Sequence, residues 1–183
     1  MRVITGSARG CRLKTLEGQN TRPTAERVKE AIFSALCFEI EGRRVLDLFA
    51  GSGQMGLEAL SRGAKSCVFV DSSREAAEVV RQNVRATRLE QVSTVFCRDS
   101  LSFLAQTTEC FDLVFLDPPY ASDLLVPCLE QLGAKTSPFA TVVCETDKEV
   151  SLPDNVGDFQ LYRLYRYGRV FVRIYRKKEQ ESL

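Results

Sequence analysis

Histidine is absent from the 183 residues of this chain. A zinc site with mixed cysteine and histidine ligands is therefore excluded, and so is the side chain that most often acts as an acid or base near neutral pH. Catalysis would have to use carboxylates, backbone groups or a reactive cofactor. The seven cysteines lie at least 13 residues apart, which leaves no CxxC pair and no pattern of a disulfide framework. We interpret them as small apolar residues in a reducing compartment.

Long apolar runs are missing as well. A bilayer-spanning helix needs about 20 apolar residues, and the apolar runs of this chain are shorter. Residues 1–6 lack the apolar region of a secretory signal. We therefore expect a cytoplasmic protein. With 44% hydrophobic and 27% charged residues, the chain is typical of one globular domain.

Charge is segregated along the chain, although the net charge is only +1. Residues 1–29 carry a net charge of +5 and residues 160–178 carry +7, so that residues 30–159 carry −9. Two basic ends around an acidic middle indicate a surface for a polyanion, provided that the ends meet in space. The alternative is a solvated surface without a partner. We favour nucleic acid.

Strand and helix patterns alternate through the middle of the chain. Strand patterns at 44–49, 65–70, 92–96, 111–116 and 141–145 are separated by helical patterns at 54–62, 74–87, 99–104 and 122–133. This alternation predicts an α/β fold with a doubly wound, mostly parallel sheet. Strand patterns at 159–165 and 169–175 flank Tyr167-Gly168, which predicts that the sheet ends in an antiparallel hairpin.

The first 22 residues form a separate pattern. Residues 2–5 and 12–15 predict a small β-hairpin, and a helix is expected over 25–36 with Thr24 as its N-cap. We assign residues 1–22 to this N-terminal β-hairpin extension, residues 23–178 to the main domain and residues 179–183 to a flexible tail.

A glycine-rich turn follows the first strand of the alternating region. The spacing Gly51-x-Gly53-x-x-Gly56 lets a ligand approach the backbone at the start of a helix. Asp71, 20 residues after Gly51, can accept both hydroxyl protons of a ribose. These residues suit a nicotinamide dinucleotide and S-adenosylmethionine alike. Asp47 favours the second, because a carboxylate there would repel a pyrophosphate but attract the positively charged methionine end.

Further cofactor contacts are expected at the ends of neighbouring strands. Asp99 and Ser100 follow the third strand, where a group could accept the adenine amino protons. The alternative for Asp99 is a carboxylate that only stabilises a helix N-terminus. The residues predicted to bind the cofactor are Asp47, Phe49, Gly51, Ser52, Gly53, Asp71, Ser72, Asp99 and Ser100.

The loop Asp117-Pro118-Pro119-Tyr120 directly follows the fourth strand, at the edge where open α/β sheets bind ligands. Its two prolines make the loop stiff and supply no N–H group. The Asp117 carboxylate and the Pro118 carbonyl can each accept one N–H of a base amino group, which stabilises the positive charge that develops during methyl transfer. Tyr120 offers a face for an extruded base. We predict that these four residues are catalytic and need no metal; the alternative is a plain proline-rich turn.

These motifs resemble a known family. The turn Asp47–Gly53 together with Asp117–Tyr120 is similar to class I amino-methyltransferases in general. Three segments, Gly6–Leu13, Arg22–Phe33 and Gly51–Ala64, resemble the RsmD family, whose members methylate the N2 of one guanine in 16S ribosomal RNA. The resemblance covers nearly the whole chain. It implies S-adenosylmethionine as cofactor and a Rossmann-like, seven-stranded methyltransferase sheet behind a small β-hairpin.

The resemblance also implies a substrate, namely the small ribosomal subunit or its assembly intermediate, and it places Arg22 and Thr24 near the cofactor and target base. We expect a monomer that contacts no membrane. The residues predicted to contact RNA are Arg9, Arg12, Lys14, Arg22, Thr24, Arg27, Arg163, Arg166 and Arg169.

Other functions stay open at this point. A methyltransferase for protein glutamine or DNA adenine would use the same kind of loop. A nicotinamide-dependent oxidoreductase would leave the Asp117 loop unexplained, and a non-catalytic RNA-binding module would leave the glycine turn unexplained.

Overall fold

A computed structural model of the protein describes residues 1–16, 23–119, 123–146 and 152–178. The helices and strands of these ranges, in chain order, are α1 (Pro23–Ala35), β1 (Arg44–Asp47), α2 (Gln54–Ser61), β2 (Ser66–Asp71), α3 (Arg74–Thr87), β3 (Ser93–Cys97), α4 (Ser100–Gln106), β4 (Phe111–Leu116), α5 (Leu125–Leu132), β5 (Thr136–Thr146), β6 (Asn155–Val156), β7 (Phe159–Tyr167) and β8 (Val170–Lys177). Within these ranges, no helix is both long enough and apolar enough to cross a membrane.

The strands form one sheet in the order β3-β2-β1-β4-β5-β8-β7-β6. Strands β1 to β5 pair in parallel, whereas β8 is antiparallel to β5 and β7 is antiparallel to β8. The predicted doubly wound sheet with an antiparallel end is confirmed. The described sheet has eight strands instead of the seven expected, because the two-residue β6 pairs with the start of β7. A strand of two residues could not be predicted from the sequence, because it is too short to show an alternation of apolar and polar residues.

Both faces of the central strands are covered by helices. On β4, Leu113 and Phe115 belong to the apolar cluster beneath α1, α2 and α3, while Val114 and Leu116 belong to the cluster beneath α4 and α5. Burial on both faces explains why these strands have continuous apolar sequences instead of alternating ones. The sheet order reverses between β1 and β4, so a crevice forms beyond the carboxyl ends of these two strands.

Helix α1 begins at Pro23, two residues earlier than expected. Proline suits the first helical position, since its missing N–H would have no partner there and its φ is already helical. Thr24 therefore lies within the first turn, and the prediction that it is the N-cap is wrong. The side chain of Thr24 lies outside the described part of the chain.

The N-terminal segment (residues 1–16) packs into the same core as the rest of the chain. One antiparallel bridge joins Arg2 to Arg12, and the Val3 N–H donates to the Cys11 carbonyl over 3.0 Å. Two further hydrogen bonds join the arms, from the Gly10 N–H to the Val3 carbonyl over 2.9 Å and from the Leu13 N–H to the Met1 carbonyl over 3.0 Å. The hairpin is shorter than predicted, because the N–H groups of Ile4 and Thr5 donate to the Glu58 carboxylate instead of to the opposite arm. The expected boundary at residue 22 and the expected tail at 179–183 lie outside the described residues.

A buried carboxylate anchors this segment to α2. Glu58 is fully buried and accepts the backbone N–H groups of Ile4 and Thr5 over 2.7 and 3.0 Å. It also forms ion pairs with Arg62 at 2.9 Å and with Lys29 at 3.6 Å. Since α2 starts at the glycine turn, one short helix connects the N-terminal segment to the predicted cofactor site.

Candidate active site

A cleft of about 470 Å³ lies at the carboxyl ends of the parallel strands. Most of the predicted cofactor and catalytic residues line it: Phe49, Gly51, Ser52, Asp71, Ser72, Asp99, Ser100, Asp117, Pro118 and Pro119. Tyr120 lies outside the described residues. The structure therefore brings the glycine turn and the Asp117 loop to one site, although 66 positions separate Gly51 from Asp117 in the sequence.

Strand register explains this meeting. Asp47 of β1 pairs with Phe115 of β4 in the parallel direction. Phe49 and Asp117 each lie two residues beyond that pair, at the same edge of the sheet. The glycine turn and the Asp117 loop are thus neighbours because they leave adjacent strands at the same level.

The turn adopts a backbone that favours glycine. Gly51 and Gly53 have φ values of +53° and +76°, in the left-handed region that other residues rarely adopt. The Gly51 N–H donates to Oδ2 of Asp71 over 2.9 Å, and the Ser73 N–H donates to Oδ1 over 2.8 Å. Both carboxylate oxygens of Asp71 are thereby held between the turn and the start of α3, and each keeps a lone pair for a further hydrogen bond.

Gly56 has a packing role. A Cβ atom at this position would lie 2.3 Å from a ring carbon of Phe69 and 2.6 Å from the sulfur of Cys67. Glycine therefore lets α2 lie directly on β2. In nucleotide-binding turns, the third glycine has this same role of letting the helix pack closely against a strand.

Asp47 stands behind the turn. It is buried, with 4% of its surface exposed, and its Oδ2 accepts the Gly56 N–H over 2.9 Å. Burial raises the pKa of Asp47 to about 7. The described residues that line the cleft do not include Asp47 or Gly53, and the cofactor contact expected of both stays a prediction. The Asp47 carboxylate thus satisfies an amide in the first turn of α2, where N–H groups have no partner within the helix.

Asp99 caps a helix and lines the cleft as well. Its Oδ1 accepts the Ser102 N–H over 2.9 Å, and the hydrogen bonds from Ser102 lower the pKa of Asp99. The side chain is nevertheless exposed. The two sequence interpretations of Asp99, a helix cap and a cleft residue, are therefore compatible.

Several residues of the cleft were not predicted from the sequence. Leu16 reaches it from the N-terminal segment, Ser73 from the start of α3 and Leu124 from the start of α5. Ser73 could have been found, because it follows Asp71 and caps α3. Leu16 and Leu124 carry no local signal, since only the folded chain places them beside the turn.

The predicted RNA-contacting residues are mostly at the surface: Arg9, Arg12, Lys14, Arg27, Arg163, Arg166 and Arg169 are exposed. Arg22 and the side chain of Thr24 lie outside the described residues. The two basic ends of the chain lie over opposite halves of the sheet, because the N-terminal segment contacts α2 and α3 while β7 and β8 lie toward the far edge.

Some basic residues near the C-terminus are buried or bind groups of the protein itself. Arg173 is buried, Arg176 forms an ion pair with Glu39, and the Lys177 ammonium donates to the Gly133 carbonyl over 2.6 Å. The basic surface at this end is therefore smaller than the sequence count of +7 suggests.

Comparison with known proteins identifies the family. The family model described as conserved hypothetical protein 95 matches residues 1–176. The chain belongs to this family. Ribosomal RNA small subunit methyltransferase D of Escherichia coli strain K12 is 34% identical over 98% of this chain and 91% of its own. "Putative rRNA methyltransferase YlbH" of Bacillus subtilis is 40% identical over 97% of this chain and 100% of its own. The predicted membership of the RsmD family is confirmed, and this member is a methyltransferase.

The fold of solved family members matches nearly the whole chain. The solved structure of yhhF from Escherichia coli has a TM-score of 0.86 and 31% identity, covering 98% of this chain and 99% of that one. A protein from Streptococcus pyogenes has a TM-score of 0.77 and 39% identity, covering 82% of this chain and 95% of that one. The predicted Rossmann-like, class I methyltransferase fold is confirmed.

Proposed function

We propose that this methyltransferase transfers the methyl group of S-adenosylmethionine to the exocyclic N2 of a guanine in 16S ribosomal RNA, on the small subunit or its assembly intermediate. The observation that carries the proposal is that Gly51, Asp71 and Asp117 line one and the same cleft. The substrate class is supported by the relatives named ribosomal RNA small subunit methyltransferase D.

The cleft fits an adenosyl cofactor. The Asp71 carboxylate, held by two backbone amides, is placed to accept the hydroxyl protons of a ribose. Among the described residues, nothing lies within 4 Å of a Cβ built on Gly51, so the backbone there is open to a ligand. Asp99 and Ser100 on the cleft wall suit the adenine end. When bound, the cofactor supplies an electrophilic methyl group, so that no metal is required.

The Asp117 loop acts on the acceptor. The lone pair of a guanine amino group is delocalised into the ring, which makes the nitrogen a weak nucleophile. The Asp117 carboxylate and the Pro118 carbonyl accept hydrogen bonds from its two N–H groups and stabilise the positive charge that develops on it. As the nitrogen–carbon bond forms, the methyl–sulfur bond breaks and the sulfur keeps the electron pair; one amino proton then leaves to the Asp117 carboxylate. Pro119 keeps the loop stiff, which favours in-line positioning. Tyr120 stacks on the extruded base.

The exposed basic residues bind the RNA backbone. Arg9, Arg12 and Lys14 contact phosphates from the N-terminal segment, and Arg163, Arg166 and Arg169 contact them from β7 and the turn that follows it. The family resemblance supports a role for Arg22 and Thr24 near the target base, and Arg27 is a further contact to the RNA. The enzyme acts as a monomer, and a ribosomal substrate places it in the cytoplasm.

Methyl transfer from radiolabelled S-adenosylmethionine to small subunits that lack the modification tests this function. We expect the label in 16S RNA, and mass spectrometry of the nucleosides should identify N2-methylguanosine at one position. Label in a protein glutamine or in adenine, or no label at all, would reject the proposal. Calorimetry with S-adenosylhomocysteine and with NAD separates the cofactors, since only the first should bind.

A further inference from the structure

One face of β7 carries a row of tyrosines. A bulge between Leu161 and Arg163 shifts the pairing with β8. Beyond it, Arg163, Tyr165 and Tyr167 pair with residues of β8 that pack against the cluster beneath α1, so their side chains share that face. Tyr162, in the bulge, lies under the Arg176 guanidinium, on the same face. We call Tyr162, Tyr165 and Tyr167 the tyrosine row.

The Tyr162 ring is exposed, the Tyr165 and Tyr167 rings are partly exposed, and each ring contacts a neighbour. Tyr162 is 46% exposed, and the guanidinium carbons of Arg176 and Arg163 lie 3.7 and 5.0 Å from its ring centroid. The rings of Tyr165 and Tyr167 are stacked, with centroids 6.2 Å apart and an interplanar angle of 20°. Contacts between neighbours therefore fix the rings before any partner arrives, which lowers the entropic cost of binding.

The positive charge beside the row is not neutralised. Arg163 donates to the Tyr165 hydroxyl over 3.1 Å. Arg166, on the opposite face of β7, donates to the Gly168 carbonyl over 3.2 Å. In the described ranges, neither arginine forms an ion pair with a carboxylate, and Arg169 does not either. A polyanion would supply the missing negative charge.

The row also leads toward the active site. Thr146, at the end of β5, pairs with Phe171 near the start of β8. The turn at Gly168 between β7 and β8 therefore lies at the same edge of the sheet as the Asp117 loop. From Tyr162 to Tyr167 the strand covers about 17 Å at 3.3 Å per residue, enough for several stacked nucleotides.

We propose that the tyrosine row binds unpaired nucleotides of the substrate RNA and directs the strand toward the cleft. Bases stack on the tyrosine rings, while phosphates lie near Arg163 on the same face and near Arg169 in the turn after β7. Interleaved aromatic and basic residues on an exposed strand suit single strands, because the base faces of a duplex are already stacked. The inference rests on the proposed RNA substrate and adds that the RNA next to the target base is unpaired when bound.

The variant Tyr162→Leu tests this inference, with Tyr162→Phe as the conservative variant. Phe139→Leu is a matched control, since Phe139 is a 73% exposed aromatic residue on β5, away from the row. Fluorescence anisotropy measures the Kd for a labelled ten-nucleotide single-stranded RNA and for a duplex of the same length. We expect Tyr162→Leu to raise the single-strand Kd about 5- to 100-fold. Tyr162→Phe and Phe139→Leu should stay within about twofold.

A second variant, Arg163→Gln, should weaken single-strand binding and reduce its salt dependence by about one counterion. S-adenosylhomocysteine affinity should be unchanged in all four variants, which shows that they are folded. An unaltered single-strand Kd for Tyr162→Leu, the result also expected if the row bound a protein, would overturn the inference. Equal losses for single strand and duplex would overturn it too. If instead wild-type enzyme binds single strands but transfers no methyl group to small subunits, the proposed function fails separately.

Discussion

At the scale of single residues, the proposed function gives separate roles to two carboxylates of the cleft. Asp71 accepts hydrogen bonds at both oxygens from backbone amides of the glycine turn and of the start of α3. Asp117 lines the same cleft from the end of β4, two strands away from β2 in the sheet. Their substitution should therefore affect different steps.

Asp117→Ala should lower the rate of methyl transfer at least about 100-fold, since one oriented acceptor of developing charge contributes that much. Its affinity for S-adenosylhomocysteine should change less than about threefold. Single-turnover transfer and calorimetry measure the two quantities. A large loss of cofactor affinity would contradict the role assigned to Asp117.

Asp71→Ala should show the reverse pattern. Loss of a carboxylate that accepts ribose hydroxyl protons should weaken S-adenosylhomocysteine binding at least about tenfold. Glu75→Ala removes an exposed carboxylate in the first turn of α3 and is the matched control. An unaltered affinity for Asp71→Ala would remove Asp71 from the cofactor site.

Asp47 has a consequence for stability. Its folded-state pKa of about 7 lies above the ordinary value of 3.8, so folding favours the protonated form. The stability that this residue contributes is present below about pH 4 and is lost as pH rises to about 7. The free energy of unfolding of the wild type, relative to Asp47→Asn, should fall by up to about 4 kcal/mol across this window. Urea denaturation at pH 4, 5.5, 7 and 8 measures it, and a constant difference would contradict the expectation.

At the scale of elements, α2 has two attachments. Its first turn binds Asp47 through Gly56, and its middle binds the N-terminal segment through Glu58. The helix is only eight residues long, so its position depends on these tertiary contacts more than on helix propensity.

Glu58→Gln should destabilise the protein by about 3 kcal/mol. The neutral amide leaves the buried Lys29 ammonium without its ion-pair partner, and breaking a buried pair on one side is costly. Glu30→Gln, on the exposed face of α1, is the control and should change stability by less than about 0.5 kcal/mol. Chemical denaturation measures both. A loss below about 1 kcal/mol for Glu58→Gln would mean that the backbone contacts alone hold the segment.

How well each element could be predicted depends on its length and periodicity. The bounds of α3 and β4 match the prediction at both ends, because a capped amphipathic helix and a continuous apolar run are strong local signals. β5 begins at Thr136, five residues before the expected start. Its early part pairs with β4 across a register shift, and such pairing depends on the neighbouring strand instead of the local sequence.

At the scale of the whole molecule, the two basic ends lie over opposite halves of the sheet. An RNA that contacts both must be large or folded, which agrees with a ribosomal substrate. Arg12 and Arg169 are exposed and represent the two ends.

Arg12→Glu and Arg169→Glu should each weaken binding of the small subunit and lower the salt dependence of log Kd. In the double variant, the two losses of binding free energy should add, because sites this far apart share no partner. Filter binding at several salt concentrations measures the slopes. If one of the single variants binds the small subunit as tightly as the wild type, the end of the chain that it represents is not part of the RNA-binding surface.

The sequence alone determined the class of fold, the family and the chemistry of the site. Strand periodicity, the glycine spacing and the Asp117 loop are local patterns, and local patterns can be read without knowing what lies beside them. The tertiary structure decided which of these residues line the same cleft. Asp47 turns to an amide of α2, Leu16 reaches the cleft from the N-terminal segment, and Arg173 is buried. Each of these outcomes depends on strand order and register, which bring together residues that are far apart in the chain.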